Sequence, residues 1–148
     1  MLARINVQGW AETYPGLLPE AEIACRTYDM RLAQWTSQIA SQKSRIYVIP
    51  DIGFAQIGPQ GSPHWAELGY SEELFALYLL RSAQGQGLGR ALLDAARSAA
   101  SCTVLVLDGN HRACRFYEKS GAELLKTYDD TVFNTVIKER VYGWPVRP

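Results

Sequence analysis

Cysteine is scarce in this chain: three residues, Cys25, Cys102 and Cys114, odd in number and widely spaced. No Cys-x-x-Cys pair occurs, which excludes a disulfide framework and a zinc site, and the thiols read as reduced in a cytoplasmic protein. Histidine occurs only as His64 and His111. Neither has a recognisable triad setting, so no cysteine nucleophile is assigned, and His111 is given no role. No apolar run approaches the ~20 residues of a membrane span, and Met1 to Trp10 lacks the apolar core of a secretory leader. Neither sign of charge is in excess, since 15 Lys and Arg balance 15 Asp and Glu. Nothing electrostatic therefore favours nucleic acid or an anionic membrane as partner. Repeats, low-complexity tracts and dividing linkers are absent too. What is left is 148 residues, a length that suits a single domain spanning 1–148 with one good core.

The periodicity predicts an α/β protein. Met1 to about Glu12 reads as a helix, broken by Tyr14-Pro15-Gly16. Pro19 opens a second helix running to about Gln42, with Ile23, Tyr28, Leu32, Trp35 and Ile39 on one side. Arg45–Ile49 and Ile52–Ile57 form a hairpin, and Gly58 to Pro63 a loop. Glu73–Leu80 is a strand apolar enough to be buried on both faces. A helix follows, with Leu88, Leu92, Ala95, Ala96 and Ala99 as its inner stripe. Then come a strand at Thr103–Leu107, a helix capped by Asn110 and ending before Gly121, and strands near Glu123–Tyr128 and Thr131–Tyr142. A mixed sheet flanked by helices is the architecture this order implies.

The most informative segment is Gln84-Gly-Gln-Gly-Leu-Gly-Arg90, set between an apolar strand and an amphipathic helix. Three glycines leave the backbone bare, so its N–H groups can close on an anion, and the helix points its positive end at the same place. The competing reading is a flexible strand-to-helix connection. Spacing removes two familiar motifs. A P-loop needs Gly-Lys-Ser/Thr, whereas Gly89 precedes Arg90 and Ala91. The dinucleotide fingerprint needs Gly-x-Gly-x-x-Gly, whereas Gly85, Gly87 and Gly89 fall at every second position. What remains is Gln84-x-x-Gly87-x-Gly89. A second segment, Asn110-x-x-Ala113-x-x-Phe116-Tyr117-Glu118-Lys119-x-Gly121, reads by itself as an amphipathic helix with a packed aromatic pair.

Together, in this order and separation, the two segments resemble the GCN5-related N-acetyltransferase (GNAT) superfamily over roughly Glu73 to Glu123. Weaker similarity lies in Trp10-x-x-x-Tyr14-x-Gly16-x-x-Pro19 and Tyr142-x-Trp144. The resemblance implies a mixed sheet with two splayed parallel strands, Glu73–Leu80 and Thr103–Leu107. Family members open with a strand before the first helix. Here Met1 stands almost at that helix, so either the sheet lacks its first strand, or another chain supplies an edge, or the start codon is incorrectly placed.

The resemblance further implies an acetyl-CoA-dependent N-acetyltransferase, in which a primary amine attacks the donor thioester directly in a ternary complex. The alternatives are a non-catalytic acyl-CoA-binding sensor or partner module, and an α/β interaction domain without ligand. The amides of Gly85, Gln86, Gly87, Leu88, Gly89 and Arg90, beside Gln84, would hold the pyrophosphate. Arg90 either adds charge there or is an ordinary surface arginine. Leu77, Tyr78 and Leu79 would lie along the pantetheine and thioester, with the Leu79 N–H as oxyanion donor. Asn110 would bond the pantetheine chain or cap its helix, and Phe116 would pack beside the cofactor. Tyr117 is the candidate acid for the departing thiolate. Glu73 is the candidate base, working through a water, because an alkylamine of pKa ~10.4 is almost wholly protonated at neutral pH. Tyr128 and His64 are weaker base candidates. The acceptor is expected to be a small-molecule or peptide amine, bound by the first helices, the loop Gly58 to Tyr70 and the final hairpin. Trp10, Tyr14, Trp65 and Tyr128 either line that pocket or, for Trp10 and Tyr14 especially, pack in the core. No dense acidic cluster stands in the sequence, which disfavours polycationic acceptors. A homodimer is common among such proteins.

Overall fold

The computed structural model describes residues 1–148. Helices α1 (Leu2–Thr13), α2 (Glu20–Ala24) and α3 (Tyr28–Ser41) come first, and no strand precedes them. Strands β1 (Arg45–Ile49) and β2 (Gly53–Pro59) follow, then α4 (Pro63–Glu67), β3 (Glu72–Leu79), α5 (Leu88–Ala96), β4 (Cys102–Leu107), α6 (His111–Lys119), β5 (Glu123–Val132) and β6 (Thr135–Trp144). The six strands form one mixed sheet in the order β1-β2-β3-β4-β6-β5. Only β3 and β4 run parallel. No helix is long and apolar enough to cross a membrane.

Helices cover both faces. The larger core lies under α5 and α6, where Leu92, Leu93, Ala96, Cys114 and Tyr117 meet Val104, Val106, Tyr142 and Trp144. Tyr142 and Trp144 are almost wholly buried, and burying an aromatic of this size contributes on the order of 2 to 3 kcal/mol. The smaller core, under α1 and α3, joins Ala3, Ile5, Trp35, Phe54 and Leu80. Polar ties fix α6 to β6 and the end of β4. Tyr142 Oη donates to Glu118 Oε1 at 2.6 Å, and Arg140 Nε donates to Asp108 Oδ1 at 2.5 Å.

Several local expectations are corrected. The helix from Pro19 to Gln42 is two helices, because Thr27 Oγ1 accepts from Met30 N at 3.2 Å and starts α3 afresh. Of the expected stripe only Trp35 is buried, together with Arg31, while Tyr28, Leu32 and Ile39 are exposed. In α5 the buried residues are Leu92, Leu93 and Ala96; the chain turns extended at Arg97, so Ala99 lies beyond the helix. The stretch from Gly58 to Tyr70 holds α4, capped by Ser62. The last hairpin turns at Phe133-Asn134, where φ is +45° and +59°, and not near Asp130. A two-residue hairpin turn needs left-handed backbone at both positions, which asparagine tolerates. Finally, β3 is not buried on both faces: Phe75 is 45% exposed and most of its neighbours are half-buried. The reason is a gap in the sheet beside it.

Candidate active site

That gap is where β3 and β4 part. They pair only at Glu72–Cys102, Glu73–Thr103 and Leu74–Val104. On the other side of β3, the register with β2 slips between Ala76–Gln56 and Leu74–Ile57, leaving Phe75 as the extra residue of a bulge. Beyond the bulge the parallel strands splay, and a cleft of about 530 Å³ opens. Ala76, Leu77, Tyr78 and Leu79 line one side and Val104 to Leu107 the other.

Backbone groups face into this cleft. Leu80 N–H crosses to Ile52 O at 2.9 Å. Alternation along the strand then turns the N–H groups of Leu79 and Leu77 away from β2, toward the parting. The Leu79 carbonyl on that side is taken by Gln84 Nε2 at 2.8 Å. Gln84 therefore closes the end of β3 and folds the glycine turn back over the cleft, a duty its spacing alone did not reveal.

Gly85 and Gly87 have φ of +79° and +80°. This is left-handed backbone, which glycine adopts without strain. Gly87 is the N-cap of α5, and no side chain caps that helix. Helices α3, α4 and α6, by contrast, are capped by Thr27, Ser62 and Asn110. The first amides of α5 are thus bare, and no acidic residue stands in its first turn. Gln84, Gly85, Gly87, Gly89 and Arg90 line the cleft; Gln86 and Leu88 do not. Arg90 shares its charge with Asp94, Nε to Oδ1 at 3.0 Å, both half-exposed. Arg112, Arg115 and Lys119 of α6 add positive charge around the same opening. Bare amides, a positive rim and a slot between parted strands fit a diphosphate with a long amide-bearing arm.

The facing wall is α6. Asn110 Oδ1 accepts from Ala113 N at 3.3 Å and so caps the helix, and the residue also lines the cleft. Phe116 lies beneath Gly89. Tyr117 is 6% exposed, wedged edge-on against Phe116 and Trp144. It lines the cleft, and no hydrogen bond perturbs its hydroxyl. Burial, followed by the nearby Tyr78 and two cysteines, pushes this phenol far above the usual tyrosine range.

Glu73 stands beside the cleft and does not line it. Its Oε2 accepts from Gly61 N at 3.1 Å. Burial raises its pKa, and the Gly61 hydrogen bond opposes that rise. Near it lies the cross-strand pair Tyr128 and Glu139. Tyr128 is pushed up to about 12 by burial, by its hydrogen bond to Glu139 and by the charges of Glu139, Asp130 and Glu73. Such a phenol keeps its proton at neutral pH and is a poor base. Burial raises Glu139 as well, with the Tyr128 hydrogen bond opposing. The acidic cluster missing from the sequence is therefore built by the fold, from β3, β5 and β6. Only the hairpin register brings positions 128, 130 and 139 together. His64 is exposed on α4 and set edge-on to Trp65.

On the α1 side, Tyr14 lines the cleft rather than packing in the core, and its hydroxyl lies 3.0 Å from that of Tyr78. Trp10 is half-buried, with the guanidinium groups of Arg31 and Arg26 at 4.7 and 5.4 Å from its ring. Cys102 is buried, and desolvation pushes its thiol up to about 12, which leaves it inert as a nucleophile.

Comparison with known proteins agrees with this geometry. Residues 42–121 match the family model described as an acetyltransferase (GNAT) domain. The chain is 31% identical, over 97% of its length and 86% of the relative's, to YuaI, an uncharacterized N-acetyltransferase of Bacillus subtilis (strain 168). Its fold is similar to that of the PaiA N-acetyltransferase of Thermoplasma acidophilum in complex with coenzyme A. The TM-score there is 0.65 and the identity 21%, covering 93% of this chain and 89% of the other. YncA of Salmonella typhimurium, solved with acetyl-CoA, superimposes with a TM-score of 0.66 at 15% identity, covering 99% and 87% of the two chains. The fold is thus shared with proteins of known structure, and this chain belongs to the GNAT acetyltransferase family.

Proposed function

We propose that the protein transfers an acetyl group from acetyl-CoA to a primary amine, by direct attack with both substrates bound. One observation carries this reading above the rest. The uncapped, glycine-flanked start of α5 and Tyr117, whose hydroxyl has no hydrogen-bond partner, line the same cleft. A binding module would need only the first of these, so the phenol favours an enzyme over a sensor.

Bound acetyl-CoA would supply a thioester open to nucleophiles. The chain's own groups do the rest. Amides of Gly85 to Arg90 hold phosphate oxygens, with Arg112, Arg115 and Lys119 adding charge. The N–H groups of Leu77 and Leu79 bind the arm and draw electron density from the carbonyl oxygen. Tyr117 keeps its proton until a departing sulfur takes it. Glu73, through a water, accepts the proton that the acceptor amine must lose.

A ligand that binds only the native state stabilises it. At a hundredfold excess of acetyl-CoA over its Kd the gain is about 2.7 kcal/mol, a rise in Tm of roughly 5 to 10 °C for a domain this size. Differential scanning fluorimetry reads this directly, and no shift at millimolar acetyl-CoA removes the proposal.

Glu73 is tested by pH. Because burial raises its pKa, the folded chain holds this proton more tightly than the unfolded chain does. Its contribution to stability therefore grows as pH falls and is lost as pH rises through the folded value. The rate runs the opposite way, since only the carboxylate accepts a proton. Wild-type kcat is expected to climb with pH through a point above the ordinary carboxylate range. In Glu73→Gln that limb disappears and kcat falls by ~10² or more. A limb that persists unchanged assigns the base elsewhere, with Glu139 the nearest candidate.

A further inference from the structure

Arg31 stands out among the charged side chains. It is 6% exposed on the buried face of α3, and it has no carboxylate partner. Its Nη1 donates to Gln34 Oε1 at 3.0 Å, while Nε and Nη2, also buried, have no hydrogen-bond partner. Packing over Trp10 satisfies the face of a guanidinium but not the donors on its edge. The carboxylate nearby, Glu22, is held by Arg26 through Nε at 3.0 Å. Two cations and one anion leave this corner with a positive excess.

The corner adjoins the cleft through Trp10, whose ring meets that of Tyr14 edge-on at 4.7 Å; Tyr14 and Tyr78 line the cleft. Their hydroxyls share one hydrogen bond, at 3.0 Å. Two phenols carry two protons, and that bond uses one, so one O–H remains to be donated. The charge of Arg31 acts on both phenols, opposing the burial that raises them. Phenolic donors backed by an unpaired buried cation form a receptor for negative charge. On the opposite side, Glu73 accepts from Gly61 N–H.

Building on the acetyl-transfer reading, we propose that the acceptor is an amine that also bears an anionic group, a carboxylate or phosphate. That group is received at Tyr14 and Tyr78 with Arg31 behind them. The amine then points along the cleft toward the thioester position, and the anion fixes its direction. Arg31 is on this account a specificity-determining residue that acts largely through the two phenols.

The test pairs each of a set of free amino acids and aminoalkyl phosphates with its neutral counterpart, the amino acid amide or the parent amine. Spermidine is added as a polycation. Thiol release from acetyl-CoA is followed in every case. The anionic member of each productive pair is expected to have kcat/KM higher by roughly tenfold to a hundredfold, the range of a hydrogen bond to a charged group. Whether carboxylates or phosphates lead tells the two sources of charge apart. Arg31→Met should shrink the ratio to below about twofold, mostly through KM, and Tyr78→Phe should shrink it in part. Arg31→Lys keeps the charge and should keep most of the preference, which guards against a variant that merely folds badly. Calorimetric titration of N-acetylated products into the coenzyme A complex should repeat the order without turnover.

Neutral amines or spermidine used as well as the anionic acceptors overturn the inference. So does an Arg31→Met enzyme that keeps the preference, or one in which every acceptor suffers equally because acetyl-CoA itself binds less well. If acetyl-CoA does not bind the wild type at all, the acetyl-transfer reading fails first, and fluorimetry shows this independently of any acceptor.

Discussion

Replacing Tyr117 by Phe is expected to lower kcat by ~10² to 10⁴, the range of general acid catalysis, while leaving the Kd for acetyl-CoA within about twofold. The variant loses one oxygen and no packing. Tyr117 sits among Phe116, Trp144 and Tyr142, and its ring makes those contacts with or without the hydroxyl. Because no hydrogen bond perturbs that hydroxyl, its removal orphans no buried partner and costs little stability. Whatever activity is lost must then come from the proton. Burial holds the phenol far above the ordinary tyrosine value, so the donor stays loaded at every pH where the fold survives. Above about pH 10 an unfolded tyrosine would ionise while the buried one would not. The folded state then carries the extra proton, and stability falls as pH rises. Tyr117→Phe should therefore flatten the alkaline loss of Tm as well as depress kcat. Burst and steady-state thiol release read the first effect, and thermal melts at pH 9 to 11 the second. Wild-type turnover in the variant would remove Tyr117 from the chemistry.

How legible all this was in the sequence differs from one residue type to another. The glycines at 85 and 87 could be found by spacing, because a left-handed turn leaves few residue choices. Tyr117 followed from its place between Phe116 and Glu118 in a motif of recognisable length. The first four strands came out close to their true limits, since apolar runs are bounded by turn residues, whereas the turn of the last hairpin was placed about four residues early. What failed were features that depend on where a helix stops. Thr27 caps α3 and splits the expected helix in two, a boundary hidden by apolar spacing that runs on from Ile23 to Tyr28. The parting of β3 from β4 is a matter of register and a one-residue bulge at Phe75, both of which are tertiary. The same holds for the acidic group around Tyr128, whose members lie far apart in the chain. Arg31 drew no reading from the sequence. Its inward place depends on how α3 packs on α1, which sets its guanidinium against Trp10.

The Gly87→Ala variant is expected to weaken acetyl-CoA binding by roughly tenfold to a hundredfold, the loss of one charge-assisted hydrogen bond or more. No neighbour lies within 4 Å of where the methyl would go, so crowding is not the cause. The cause is the backbone. An L-residue at φ of +80° costs roughly 1 to 2 kcal/mol, and the chain has two ways to respond. It can keep the turn and carry the strain, which lowers Tm by a few degrees. Or it can relax at Gly87, which rotates the Gly87–Leu88 peptide and moves the amides at the start of α5 that the phosphate oxygens would use. Only the second weakens the complex, because strain carried equally by the free and bound protein cancels from Kd; an α5 without a side-chain cap has nothing else to hold its amides in place, so relaxation is the expected response. Gly87→Asn separates the two explanations, since asparagine tolerates left-handed backbone. It should recover most of the affinity along with most of the stability. Gly89→Ala makes a second control: the new Cβ would meet Phe116 at 3.5 Å, an ordinary contact, so the fold should stand while a methyl intrudes on the cleft wall. Calorimetric Kd values for the three variants decide the matter. If Gly87→Ala and Gly89→Ala both bind acetyl-CoA like the wild type, the turn is only a connection between β3 and α5, and the cradle must lie elsewhere.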